Sequence, residues 1–188
     1  MTNNLSRFFY RIASWKTLLL AVVLYVPFPA YVFKSLEERM NTLAGRPIGP
    51  IDLLTGYDPD RIRQMVAAYG PEGRAIYAQG ELTADLAYPV IYTFLFCIIL
   101  SMLFRNRPYA PFRRVNVLPL GIMGFDLLEN ACIVYLLRTY PASSATVASL
   151  CSVFTNLKWG VSMVVLGLVL YGLARQLTGS QARLADRA

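Results

Sequence analysis

Histidine is absent from all 188 residues. Its absence removes the commonest zinc ligand and the usual haem axial ligand. It also removes the side chain most often used as a general base. Cysteine is scarce, and Cys97, Cys132 and Cys151 form no C-x-x-C pair. That argues against a thiol–disulfide oxidoreductase, whose chemistry needs the close pair. No cofactor and no metal is expected. Charge is scarce too, at 15% of residues against 56% hydrophobic. A soluble domain carries roughly 25% charged and about 45–50% apolar residues. With a mean hydropathy of +0.45, the composition points to a membrane protein. The length fits one domain, residues 1–188, with no internal repeat and no low-complexity segment.

What is present is a set of long apolar runs. Four are candidate spans, at about residues 17–33, 86–104, 115–137 and 147–174. A bilayer crossing needs roughly 20 apolar residues. The first run is short enough to suggest a signal peptide. However, "PFPAYVFKSLEE" offers no small-x-small cleavage site directly after it. Pro27 and Pro29 are expected to bend or break its outer end. The fold class is therefore an all-α integral membrane protein. Four transmembrane helices carry a helical extracytoplasmic cap, residues 34–85, between helices 1 and 2.

Basic residues are sorted along the chain. Arg7, Arg11 and Lys16 precede the first run with no acid among them. "RNRPYAPFRR" between the second and third runs holds four arginines and no acid, and the chain after the fourth run is also basic. By the positive-inside rule both termini and the Arg loop are cytoplasmic, in a plasma (inner) membrane. The net charge of +7 thus reflects topology and attraction to anionic lipid headgroups. It does not indicate nucleic-acid binding, because the basic residues are split among separate juxtamembrane segments.

The cap reads as helical. "KSLEERMNTL" is an amphipathic helix and "AGRPIGP" a break. "DPDRIRQMVAAYG" has Asp58 as N-cap, Pro59 at the first helical position and Gly70 as the stop. Ile62, Met65, Val66 and Tyr69 share one face, which has to pack on the bundle top, the lipid interface or a partner. A further helix starts at Pro71 and can run straight into the second span.

The chemistry-bearing residues lie in the apolar runs. Asp126, Glu129 and Asn130 are spaced i, i+3, i+4 on one helical face. Counted from Arg114 at 1.5 Å per residue, Asp126 lies ~18 Å and Glu129 ~22 Å into the membrane. A carboxylate at a span's centre costs about 2.5–3.5 kcal/mol to insert. Counted from Arg175, Lys158 lies at ~25 Å, the depth of Glu129. It belongs to a polar stripe with Cys151, Thr155 and Ser162. Gly160 and Gly167 are expected to permit close helix approach. Asp85, Tyr88 and Tyr92 form one face of the second span, with Arg74 and Tyr77 above.

These residues predict an outward-opening polar cavity. Asp126, Glu129, Asn130 and Lys158 form its floor, Asp85, Tyr88 and Tyr92 a wall, and Arg74 and Tyr77 the rim. Two acids and one base leave a charge to balance, so either Arg74 reaches in or one acid holds a proton. Asn130, Thr155, Asn156 and Ser162 are also ordinary interhelical glue, at ~0.6 kcal/mol per contact. The expected function is binding of a small or amphiphilic, lipid-like molecule. Asp126 and Glu129 are the candidate acid and base, and Lys158 their electrostatic partner. The alternatives are a non-enzymatic accessory subunit docking a membrane-protein partner, or a proton-coupled carrier. Four spans are few for a carrier, so that reading requires a homodimer.

Overall fold

A computed structural model describes residues 2–54, 56–105, 112–142 and 144–185. The described residues are helices joined by short connections, with no strand. They are α1 (Thr2–Ile12), α2 (Trp15–Tyr25), α3 (Phe33–Ala44), α4 (Pro59–Ala68), α5 (Gly70–Glu81), α6 (Ala84–Phe104), α7 (Pro119–Thr139) and α8 (Ala145–Ala185). Four helical stretches are long and apolar enough to cross a membrane: Trp15–Ala44, Gly70–Phe104, Arg113–Thr139 and Ala145–Thr178. The chain is an all-α membrane protein. Arg107, in the middle of the arginine-rich connection, lies outside the described residues.

The first span departs from expectation. Pro27 and Pro29 do not end it. A π-helical turn, Phe28–Val32, links α2 to α3, so the expected outer helix is the far end of the same rod. Proline lacks an N–H and so removes bonds from the i→i+4 ladder. The wider i→i+5 turn absorbs this, with the Phe33 N–H donating to Phe28 O. Gly45 at φ 68° then ends α3 in the left-handed conformation.

The cap follows its sequence signals. Asp58 accepts a hydrogen bond from the Arg61 N–H at 2.8 Å, and Pro59 opens α4. Gly70, at φ 67°, turns the chain between α4 and α5. The expected apolar face of Ile62, Met65, Val66 and Tyr69 is buried. It packs in one core with Ile133, Leu136 and Leu137 of α7 and with Ala148 and Cys151 of α8. The cap is thereby fixed on the ends of α7 and α8. Ile62, Met65 and Val66 each contribute about 1.5–3 kcal/mol when fully buried from water. Tyrosine hydroxyls hold the connection after α3: Tyr69 donates to Gly49 O at 2.7 Å, and the Ile51 N–H donates to Tyr77 Oη at 2.8 Å.

α5 and α6 are not one helix. Leu82 and Thr83 form a turn between them, and the Thr83 hydroxyl donates back to Gln79 O at 2.7 Å. Close helix approach also differs from expectation. A Cβ at Gly160 or Gly167 would meet nothing within 4 Å, so neither glycine sits at a tight crossing. The tight crossings are at Gly172, where a Cβ would come within 3.0 Å of Leu103, and at Gly80, against Leu36. At the far end of the bundle, α1 is tied down by a buried polar cluster. The Ser6 hydroxyl donates to Asn116 Oδ1 at 2.7 Å, and Asn116 Nδ2 donates to Ser6 O and to Ser101 Oγ.

Candidate functional site

α7 and α8 pack along their length and bring Asp126, Glu129 and Lys158 together. Lys158 Nζ lies 3.2 Å from Asp126 Oδ1 and 2.5 Å from Glu129 Oε2. All three side chains are buried, Glu129 completely. The Lys158 ammonium is the partner of Glu129 Oε2. The other carboxylate oxygens are hydrogen-bonded. The Tyr92 hydroxyl donates to Asp126 Oδ2 at 2.8 Å, and the Thr155 hydroxyl donates to Glu129 Oε1 at 2.6 Å. With the Thr155 proton given to Glu129, the Tyr57 hydroxyl donates to Thr155 Oγ1 at 2.9 Å.

The result is one connected chain: Tyr92, Asp126, Lys158, Glu129, Thr155 and Tyr57. It starts in α6, crosses α7 and α8, and ends in the cap. Burial pushes the Tyr57 hydroxyl well above the usual phenol range, with the Cys151 thiol adding to the effect. Tyr57 therefore stays a neutral donor.

Beside this chain lies a cavity of about 550 Å³. Its walls come from α2, α3, α5, α6, α7, α8 and the connection after α3. Asp126 and Lys158 line it, as do Asp85, Tyr88, Tyr92 and Tyr77. Three expected residues lie elsewhere. Glu129 sits behind Lys158, out of the lining. Asn130 uses Nδ2 to donate to Asp85 O at 2.8 Å, which pins α7 to the start of α6. Arg74 is turned away from the cavity: it donates to Val66 O at 3.2 Å and covers the Tyr140 ring at 4.2 Å. It supplies no charge to Asp126 or Glu129, and Lys158 serves both.

The structure adds lining residues that sequence spacing did not single out. Asp52, in the connection after α3, accepts from the Tyr77 hydroxyl at 3.1 Å. Burial raises its carboxyl above the ordinary range, and the charge of Lys158 and the Tyr77 bond pull it partly back. Phe33, Lys34 and Glu37 come from α3, and Trp159, Met163 and Leu166 from α8. Asp52 had no periodic signal, because "GPIDLLTG" has no helical face to read. The α3 residues became legible only once the rod was seen to continue past its prolines.

The rings of Tyr25, Phe28, Phe33 and Tyr92 all lie 4.9–5.5 Å from the Tyr88 ring. This cluster fastens the first rod to α6 and walls the cavity. α2 and α3 pack on α6 and α5, while α8 packs on α7. The rod and α8 face each other across the cavity. On α8, Met163 and Leu166 line the cavity and stay exposed, Met163 at 65%.

No family model matches the chain, and no curated protein or solved structure matches it either. The class is therefore set by the fold and the site alone: an all-α, four-span membrane protein with a charged, aromatic-walled cavity among its helices.

Proposed function

We propose that this protein binds an amphiphilic, lipid-like molecule in the cavity, and that the Asp126–Lys158–Glu129 group takes part in moving a proton there. One observation carries the reading. A single cavity of about 550 Å³ joins a charged end, with Asp126 and Lys158, to an apolar side, with Phe33, Met163 and Leu166. That volume suits a drug-sized or lipid-like ligand. A purely apolar void would not be lined by two lysines, three aspartates and a glutamate. A purely structural ion pair would not need a cavity.

The chain of donors supports the proton role. Asp126 holds a hydrogen bond from Tyr92 on the cavity side. Glu129 is connected through Thr155 to Tyr57 on the other side. A general acid or base must stand within hydrogen-bond reach of the group it serves, and Asp126 faces the cavity. The carrier and accessory-subunit alternatives have no comparable observation in their favour.

The arginine distribution supports cytoplasmic termini, which puts the cap and the charged end of the cavity on the outer side. A cysteine placed at Gly56 in a cysteine-free background is expected to react with a membrane-impermeant reagent added outside. Protection there, with labelling only from inside, would reverse the orientation. The binding reading itself is tested by native mass spectrometry of the protein released from mild detergent. An amphiphile is expected to be retained at about one copy per chain. A protein that flies bare, from gentle preparations that keep its fold, would count against it.

A further inference from the structure

The ligand's polar end can be assigned a charge sign. We infer that the amphiphile held in this cavity carries a cationic headgroup, a protonated amine or quaternary ammonium. This rests on the binding reading above and goes further, to the chemistry of the head.

The lining carries more negative groups than positive ones. Glu37, Asp52, Asp85 and Asp126 face the cavity against Lys34 and Lys158. Lys158 is already shared between Asp126 and Glu129. Lys34 is exposed at the mouth, one helical turn from Glu37. Asp52 and Asp85 remain. Among the described residues no lysine or arginine comes within ion-pair distance of either. Behind Asp85, one turn earlier in the chain, Glu81 is 1% exposed with neither carboxylate oxygen partnered. A buried carboxyl group without a cation is costly. With four acids against two lysines on its lining, and the buried, unpartnered Glu81 one turn before Asp85, the cavity is completed by a positive ligand and opposed by a negative one.

The wall beside these acids is aromatic. Tyr88 lies three residues after Asp85 on the same helical face and lines the cavity with Tyr25, Phe33 and Tyr92. Ring faces attract cations, and quaternary ammonium groups are recognised by aromatic surfaces of this kind. A carboxylate beside such rings selects for positive charge and leaves room for methyl groups. The chain of the amphiphile then has the apolar side between the first rod and α8.

The two tryptophans, Trp15 and Trp159, permit a direct test. Trp159 lines the cavity, so Trp15→Phe leaves one reporter at the site. The protein is placed in nanodiscs of zwitterionic lipid. Quenching of Trp159 is then titrated with matched probes: terminally brominated dodecyltrimethylammonium, dodecylamine, dodecanol and dodecyl sulfate. The two cations are expected to quench at concentrations about tenfold below the alcohol, with the sulfate weakest. The order of the two cations distinguishes an amine-selective from an ammonium-selective head. Asp85→Asn and Asp52→Asn, made separately, are each expected to erase most of the cation preference and leave the alcohol titration unchanged. Bilayer partitioning is the same for parent and variant, so this ratio reports the cavity alone. Equal quenching by alcohol and cations, or a preference that survives both variants, overturns the cationic head and leaves amphiphile binding standing. A failure of every probe to quench Trp159 overturns the binding reading together with it.

Discussion

Replacing Lys158 with methionine is expected to destabilise the protein by about 3–5 kcal/mol, the loss typical of stranding a buried charge. Here one lysine serves two acids, at 3.2 Å from Asp126 and 2.5 Å from Glu129, so removing it strands both. The penalty is greater than the net contribution of the ion pairs, because both carboxylates stay desolvated with no cation to offset the cost. Restoring neutrality should therefore recover stability. The triple variant Lys158→Met, Asp126→Asn, Glu129→Gln is expected to be more stable than Lys158→Met alone. Denaturation in detergent measures all the combinations, and a double-mutant cycle isolates the coupling. Strictly additive losses for Lys158→Met and Glu129→Gln would mean that the two side chains do not interact.

Asp126→Asn is expected to do the opposite: little change in stability and full loss of function. Asparagine keeps the shape: its carbonyl oxygen can still accept from Lys158, and its amide N–H can donate to the Tyr92 hydroxyl, which reverses that bond. It also lowers the cost of placing the residue in a helix centre. Glu129 remains to balance Lys158. The variant can no longer take up or release a proton, which is the capacity the proposed chemistry needs. Growth of a deletion strain carrying the variant, beside thermal stability of the purified protein, separates fold from function. A stable variant that complements as well as the parent would end the proton-transfer reading and leave Asp126 as helix glue.

The site was legible where helical arithmetic reaches. Depths counted from Arg114 and Arg175 brought Lys158 level with Glu129, and the i, i+3 spacing put Asp126 on the same face. Both acids meet the lysine. Tyr88 and Tyr92 lie on the cavity because they follow Asp85 on one face of an uninterrupted helix. The arithmetic failed where the helix did. Arg74 shares a face with Asp85 only if α5 and α6 are continuous, and the turn at Leu82 and Thr83 breaks them. Its guanidinium instead covers Tyr140. Gly160 and Gly167 suggest contact positions by residue type alone. Which face of α8 meets a neighbour depends on crossing geometry that one helix's sequence does not contain. Asp52 sits in an irregular connection, positioned by the Tyr77 hydroxyl across 25 residues of chain, a separation no local pattern reports.

The central claim is that the cavity is a binding site and not a packing defect. The most direct measurement compares the parent with Ser162→Trp by native mass spectrometry after parallel purification from the same membranes. Ser162 lines the cavity, and among the described residues its hydroxyl bonds only to Lys158 O of its own helix, at 2.7 Å. A tryptophan there fills the space and leaves Asp126, Glu129 and Lys158 unsubstituted. The account predicts a retained amphiphile in the parent, at about one per chain, and its loss from an equally folded Ser162→Trp. The same bound molecules at the same occupancy in both proteins would contradict it.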